Sequence, residues 1–150
     1  MQVHRLETHV TLPRARPEVF AYFADAANLQ ELTPTFLDFR ILTPLPIEME
    51  EGTMIDYRLR IRGIPVRWRT RITEWDPPQR FVDEQLRGPY RLWVHEHRFR
   101  ELNGQTEVID RVRYAVPGGV LVQRLFVRKD VERIFEYRKR RLLGRFGGEP

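Results

Sequence analysis

The chain has no cysteine. Disulfide scaffolds, thiolate metal sites and cysteine nucleophiles are therefore excluded. No apolar run approaches the ~20 residues that a membrane-spanning helix requires. The opening residues, Met1-Gln2-Val3-His4-Arg5-Leu6-Glu7, hold no apolar signal core, so a cytoplasmic location is expected. There is no internal repeat and no low-complexity tract. Lysine is scarce: of 26 Lys and Arg, only Lys129 and Lys139 are lysine. No phosphate loop, Walker pattern or nucleophile elbow occurs, and the glycines fall at turns.

What is present suits a single domain over residues 1–150. The 41% of hydrophobic residues and 11% of aromatics suffice for one core, which argues against disorder. The net charge of +5 is unevenly placed. Residues 120–146 carry nine bases and three acids, whereas residues 1–119 carry 17 of each. A basic helix can meet nucleic acid or an anionic membrane. The plainer reading is a solvated outer face, with cations that favour the helix C-terminus.

The hydrophobic period sets the elements. Residues 2–12 alternate as a strand. Pro17 suits the first turn of a helix carrying Val19, Phe20 and Phe23. Asn28 and Glu31 fit a capping box on a second short helix that Pro34 stops. The period then becomes two, with strands at 36–43, 53–62, 65–75, 80–86, 90–101 and 105–116. A Gly63-Ile64 turn would set Ile61 opposite Val66, Leu59 opposite Trp68 and Tyr57 opposite Thr70. Residues 120–143 read as a long helix with Leu121, Leu125, Val131, Ile134, Phe135 and Leu142 as its apolar stripe. The fold class is α+β: about seven antiparallel strands, two short helices after the first, and a long final helix that alone can cover the sheet's apolar face.

Asn103-Gly104 is the strongest hairpin signal and fixes a register. His97 then faces Asp110, His95 faces Val112, Trp93 faces Tyr114 and Phe99 faces Val108. These residues share one face, opposite a face of Arg and Glu, so the apolar set is the inward one. Two histidines and an aspartate thus point inside, with Glu74, Asp83 and Gln85 as further candidates. Buried polar groups are costly unless paired. One reading makes His97–Asp110 a structural pair, with His95 bonded to backbone or water. The other makes them the polar part of a small-molecule pocket walled by aromatics. The pocket reading takes Tyr57, Leu59, Trp68, Thr70, Phe81, Gln85, Trp93, His95, His97, Asp110, Val112 and Tyr114 as ligand-binding residues. The inward aromatics argue against RNA stacking, and no nucleic-acid partner is expected.

His95-x-His97 with Glu101 is partly similar to the cupin metal pattern. Gly88 lies one residue too far away, Val108 replaces the closing glycine, and no downstream histidine follows. No metal and no cofactor are therefore expected.

Several strings carry a broader likeness: Pro17-Glu18-Val19-Phe20 with Asp25 and Asn28-Leu29, then Glu51-Gly52-Thr53. Phe81-Val82-Asp83-Glu84-Gln85, Gly88-Pro89-Tyr90, Trp93 and His95-Glu96-His97-Arg98-Phe99 follow. With the element order, they resemble the START-like (SRPBCC) superfamily of helix-grip proteins over nearly the whole chain. That superfamily includes polyketide cyclase/dehydrase-like and coenzyme Q-binding proteins, and the later strings are similar to a ligand-binding branch of it. The resemblance implies a helix-grip fold, a curved antiparallel sheet wrapped around the long C-terminal helix. It also implies a deep cavity between sheet and helix for an apolar or aromatic ligand. The branch's polar pattern falls on Gln85, His95, His97 and Asp110, without assigned chemistry. Three functions follow as expectations. The first is binding of a hydrophobic small molecule such as a lipid, polyketide-like aromatic or quinone. The second is a cyclase/dehydratase-type enzyme using His97–Asp110 as acid/base. The third is interaction with ribosome, RNA or an anionic membrane through Arg138, Lys139, Arg140 and Arg141.

Overall fold

The computed structural model describes residues 1–148. Seven antiparallel strands form one sheet: β1 (His4–Leu12), β2 (Arg40–Ile41), β3 (Met54–Ile61), β4 (Ile64–Asp76), β5 (Arg80–Arg87), β6 (Leu92–Leu102) and β7 (Gln105–Ala115). Their spatial order is β1-β7-β6-β5-β4-β3-β2, so the first strand closes beside the last and the rest is a meander. Two short helices, α1 (Arg16–Ala24) and α2 (Leu29–Leu32), follow β1. The C-terminal helix is continuous through α3 (Gly119–Val122), a π-helical turn at Gln123–Val127, and α4 (Arg128–Phe146). Among the described residues no helix is long and apolar enough to cross a membrane.

The register expected for the β6–β7 hairpin is present. His97 lies opposite Asp110, His95 opposite Val112, and Trp93 opposite Tyr114. Asn103 and Gly104 take φ of 50° and 81°, as a type I′ turn requires. The β3–β4 hairpin differs from expectation by two residues. Ile61 pairs with Ile64, Leu59 with Val66 and Tyr57 with Trp68. Its turn is Arg62-Gly63, with φ of 50° and 82°. An arginine has accepted the left-handed position that usually goes to Asn or Asp. A shift of two keeps every side chain on its face.

Elsewhere parity does change. Between Ile72 and Glu74 the β4–β5 pairing skips Thr73. Such a bulge inserts one residue and exchanges the faces beyond it. Glu74 therefore points to solvent and pairs with Arg80 at 2.9 Å, not inward as its strand position suggested. Trp75 takes the inward place, against Phe20 and Phe81. The expected second strand shrinks to Arg40–Ile41, because residues 35–37 form a 3₁₀ turn. Asn28 is not a cap: Asp25 accepts from the Ala27 N–H, while Asn28 donates to the Tyr22 carbonyl.

α4 buries Val131, Phe135, Arg138, Leu142 and Phe146, spaced four, three, four and four residues apart, which is one helical face. That face meets two apolar clusters. One joins α1 to the sheet through Phe20, Phe23, Phe81, Phe99 and Leu142. The other holds Leu59, Trp68, Trp93, Val112, Tyr114 and Phe135. The histidines sit at their seam: His97 stacks on Phe81 and His95 meets the edge of Phe135. The π-helical turn displaces the stripe N-terminal to it. Gln123 turns inward and donates to the Tyr114 hydroxyl, whereas Leu121 and Leu125, expected in the core, lie on the surface.

Candidate functional site

A cavity of about 340 Å³ lies between the sheet and the C-terminal helix. This is within the ~300–1,000 Å³ usual for small-molecule sites. Of the residues expected to line it, Tyr57, Leu59, Trp68, Thr70, Phe81, Trp93, His95 and His97 do so. The other four stand elsewhere. Gln85 clamps the β5–β6 connection, donating to the Tyr90 carbonyl at 2.7 Å and accepting from the Tyr90 N–H at 3.1 Å. Val112 is core packing, and Tyr114 is held by Gln123. Asp110 lies one layer behind His95. The wall also includes Phe23, Phe39, Tyr90, Ile134, Phe135 and Arg138, contributed by α1, loops and α4. Loop residues had no register to place them. Arg138 had one: it falls on the helical stripe of Val131, Phe135 and Leu142.

Asp83, His95, His97 and Arg138 of the cavity wall join Asp110 behind it in a cluster of five side chains. The pairing within it is crossed relative to expectation. His95 Nε2 bonds Asp110 Oδ1 at 2.7 Å, and His97 Nε2 bonds Asp83 Oδ2 at 2.5 Å. His97 Nδ1 is 3.6 Å from Asp110, so His97–Asp110 is not the primary pair. Imidazoles are long enough to reach diagonal rather than directly opposite neighbours. Arg138 comes down from α4, with Nη2 at 3.2 Å from His97 Nδ1 and 3.4 Å from Asp110 Oδ1. The two imidazoles stack with centroids 3.7 Å apart.

This geometry fixes the proton on His97. Arginine has only donors, so His97 Nδ1 must accept from Arg138. Its Nε2 then carries the hydrogen and donates to Asp83. The titration agrees. Burial above all, with the neighbouring His95 and Arg138 adding to it, pushes the His97 imidazole down to about 4 despite Asp83. Asp83 and Asp110 both lie below the usual carboxylate range. Burial opposes their charge, but the His97 bond lowers Asp83, and Arg138 and the His95 bond lower Asp110 further. Burial, then the Asp83 charge, raises the Tyr57 phenol well above its ordinary value, so it remains a hydroxyl donor. Two donors, Trp68 Nε1 and Arg138 Nε, are occluded and have no hydrogen-bond partner among the described residues.

Asp83, His95 and His97 bring potential ligand atoms within 4.8 Å of one another, a set that zinc-type chemistry uses. The protonation pattern does not fit. To bind a metal through Nε2, neutral His97 would have to move its hydrogen to Nδ1, facing the donor of Arg138. Metal-bound histidines instead give their second N–H to an acceptor. The guanidinium already supplies the positive charge between the carboxylates.

The basic C-terminal helix is largely engaged with its own protein. Arg138 is buried, Arg141 and Arg145 lie 3.7 and 3.9 Å from Glu31, and Arg133 covers the ring of Phe36.

A curved seven-stranded sheet holding one long helix above an apolar cavity defines the START-like helix-grip class. The chain belongs to the polyketide cyclase/dehydrase and lipid transport family, which its sequence matches over residues 12–142. Among solved structures it is similar to the Zhui aromatase/cyclase of Streptomyces sp. R1128, at 17% identity and a TM-score of 0.77, covering 97% of this chain and 94% of that one. A START superfamily protein of Mycobacterium smegmatis gives 13% identity and a TM-score of 0.75, covering 96% and 97%. The major latex-like protein 151 of Panax ginseng gives 10% and 0.70, again covering 96% and 97%. At such identities the likeness is one of fold. Among curated proteins none matches this sequence.

Proposed function

We propose that this protein binds an apolar or aromatic small molecule in the cavity between sheet and C-terminal helix. The observation that carries this reading is the distribution of the wall. Apolar and aromatic side chains make most of the wall, and the linked group of Asp83, His95, His97 and Arg138 forms part of it, besides Asp25, Asn28, Thr33, Thr70 and Asp130. Trp68 and Trp93 supply a readout. Titration with an apolar fluorophore such as anilinonaphthalene sulfonate should quench tryptophan emission. Filling the void with Ile134→Trp should weaken binding at least about tenfold, or ~1.4 kcal/mol, while the fold persists. Undiminished binding in that variant would place the probe elsewhere and defeat the reading. Native mass spectrometry of freshly purified protein tests the same point by the mass of any retained ligand.

A second reading, acid–base catalysis of a cyclase or dehydratase type, is favoured by one detail. His97 has both ring nitrogens occupied, whereas His95 bonds Asp110 through Nε2 and has only Asp83, 3.8 Å away, near Nδ1. Asp110 would orient His95, and His95 Nδ1 would exchange the proton with a polyketide-like carbonyl substrate. His95→Gln should then reduce turnover by about 10²–10⁴ with ligand affinity nearly unchanged. Equal losses in affinity and turnover would reduce His95 to a binding group.

A further inference from the structure

The π-helical turn at Gln123–Val127 has a consequence outside the cavity. Val122 and Val127 line the void, together with Pro89 and Pro117 from the neighbouring connections. On the opposite side of the same two helical turns, Leu121 is 66% exposed and Leu125 48%, with Val120 and Phe126 also exposed. Ile64, beside the tip of the β3–β4 hairpin, is exposed as well, and the tip residue Arg62 lies over the Phe126 ring at 5.0 Å. The apolar lining and an apolar outer collar are therefore carried by one segment. Scattered exposed leucines need no explanation, but a contiguous set on one helix face does.

Charge selects the occupant. Residues 117–129 contain Arg124, Arg128 and Lys129 and no acid. The nearest acids along the helix are already engaged: Asp130 with Arg62 at 3.0 Å, and Glu132 with Arg128 at 3.5 Å. A second copy meeting this face symmetrically would set the same bases against one another. An apolar helical face flanked by arginine and lysine instead matches an interfacial helix on anionic lipid.

We infer that residues 119–129 dock this protein on an anionic phospholipid surface. Leu121, Leu125 and Phe126 enter the headgroup–acyl boundary, and Arg124 and Lys129 contact phosphates. The inference extends the ligand-binding reading, since a water-insoluble cargo would then pass between bilayer and cavity along a continuous apolar path. Docking itself needs no cargo, so the two can fail separately.

The test is flotation of the full-length protein with vesicles of phosphatidylcholine alone and of an equimolar mixture with phosphatidylserine. Partition should favour the anionic vesicles and fall at high salt. Leu121→Ser/Leu125→Ser should abolish it with unchanged melting temperature. Arg124→Gln/Lys129→Gln should weaken it about 30-fold, as two neutralised bases imply. No partition to anionic vesicles, or full partition by the leucine double variant, would overturn the inference. So would a concentration-dependent dimer that the leucine variant dissociates, since this face would then join two copies. Cavity-probe binding by the leucine variant, measured in parallel, reports on the ligand reading independently.

Discussion

Arg138→Met is expected to destabilise this protein by about 3–5 kcal/mol at neutral pH, the range for removing one partner from a buried ion pair. The reason is the company it leaves behind. Asp110 is 3% exposed, and among the described residues Arg138 is the only arginine or lysine paired with it. The methionine restores the bulk of the stem but not the charge. The loss should appear in the urea midpoint with an unchanged slope. It should also depend on pH with a definite sign. In the wild type the Asp110 carboxyl titrates below its unfolded value, so its stabilising contribution is present above that value and is lost as pH falls through the folded one. Without the guanidinium, burial dominates and drives that carboxyl up. The deficit of the variant should therefore be largest at neutral pH and shrink on acidification. Arg138→Met/Asp110→Asn should recover most of it. Arg141→Met is the control: one turn away and half-exposed beside Glu31, it should change stability by no more than about 1 kcal/mol. Equal effects at 138 and 141 would mean that the buried cluster does not hold the helix to the sheet.

His97 gives the second large effect. Its imidazole titrates at about 4 in the folded protein, against roughly 6.5 when unfolded. Between those values the unfolded chain binds the extra proton, so stability rises with pH across the window. The contribution is complete above about 6.5 and is lost as pH falls to 4, for a total of roughly 3 kcal/mol. Asp83, Asp110, His95 and Arg138 all face this ring, so the wild-type curve contains their titration as well. The variant that isolates His97 is His97→Gln. Its amide can donate to Asp83 and accept from Arg138, the same pattern as the neutral ring, but it does not titrate. The difference between the wild-type and variant stability curves should slope from pH 6.5 to 4 and be flat above. A flat difference throughout would mean that His97 is not held neutral by burial.

These two residues also mark how far the sequence could be read. His97 was legible as inward-facing, because a two-residue Asn-Gly turn leaves one register for β6–β7 and the charged set demands the other face. Its partner was not legible. Register names the residue directly opposite, Asp110, whereas strand twist and ring length decide that each imidazole bonds diagonally. Asp83 had no single orientation, because the Gly88-Pro89 loop leaves the parity of its strand open, and Glu74 was misdirected by the bulge at Thr73. Arg138 carried a readable signal in its spacing from Val131, Phe135 and Leu142. Its charge suggested water, and only the two carboxylates waiting beneath the helix make its burial favourable.

The sequence by itself determined the class of fold. Periods of two and then 3.6, punctuated by proline and glycine, specify antiparallel strands with one polar face and a helix that must cover the other. Those are local consequences of backbone geometry and of the transfer of apolar surface from water. The tertiary structure alone decided the void, the crossed histidine–aspartate pairs and the outward turn of Leu121 and Leu125. Each depends on distances between elements far apart in the chain, set by sheet curvature, the bulge at Thr73 and a π-helical turn that no pattern of residue types encodes.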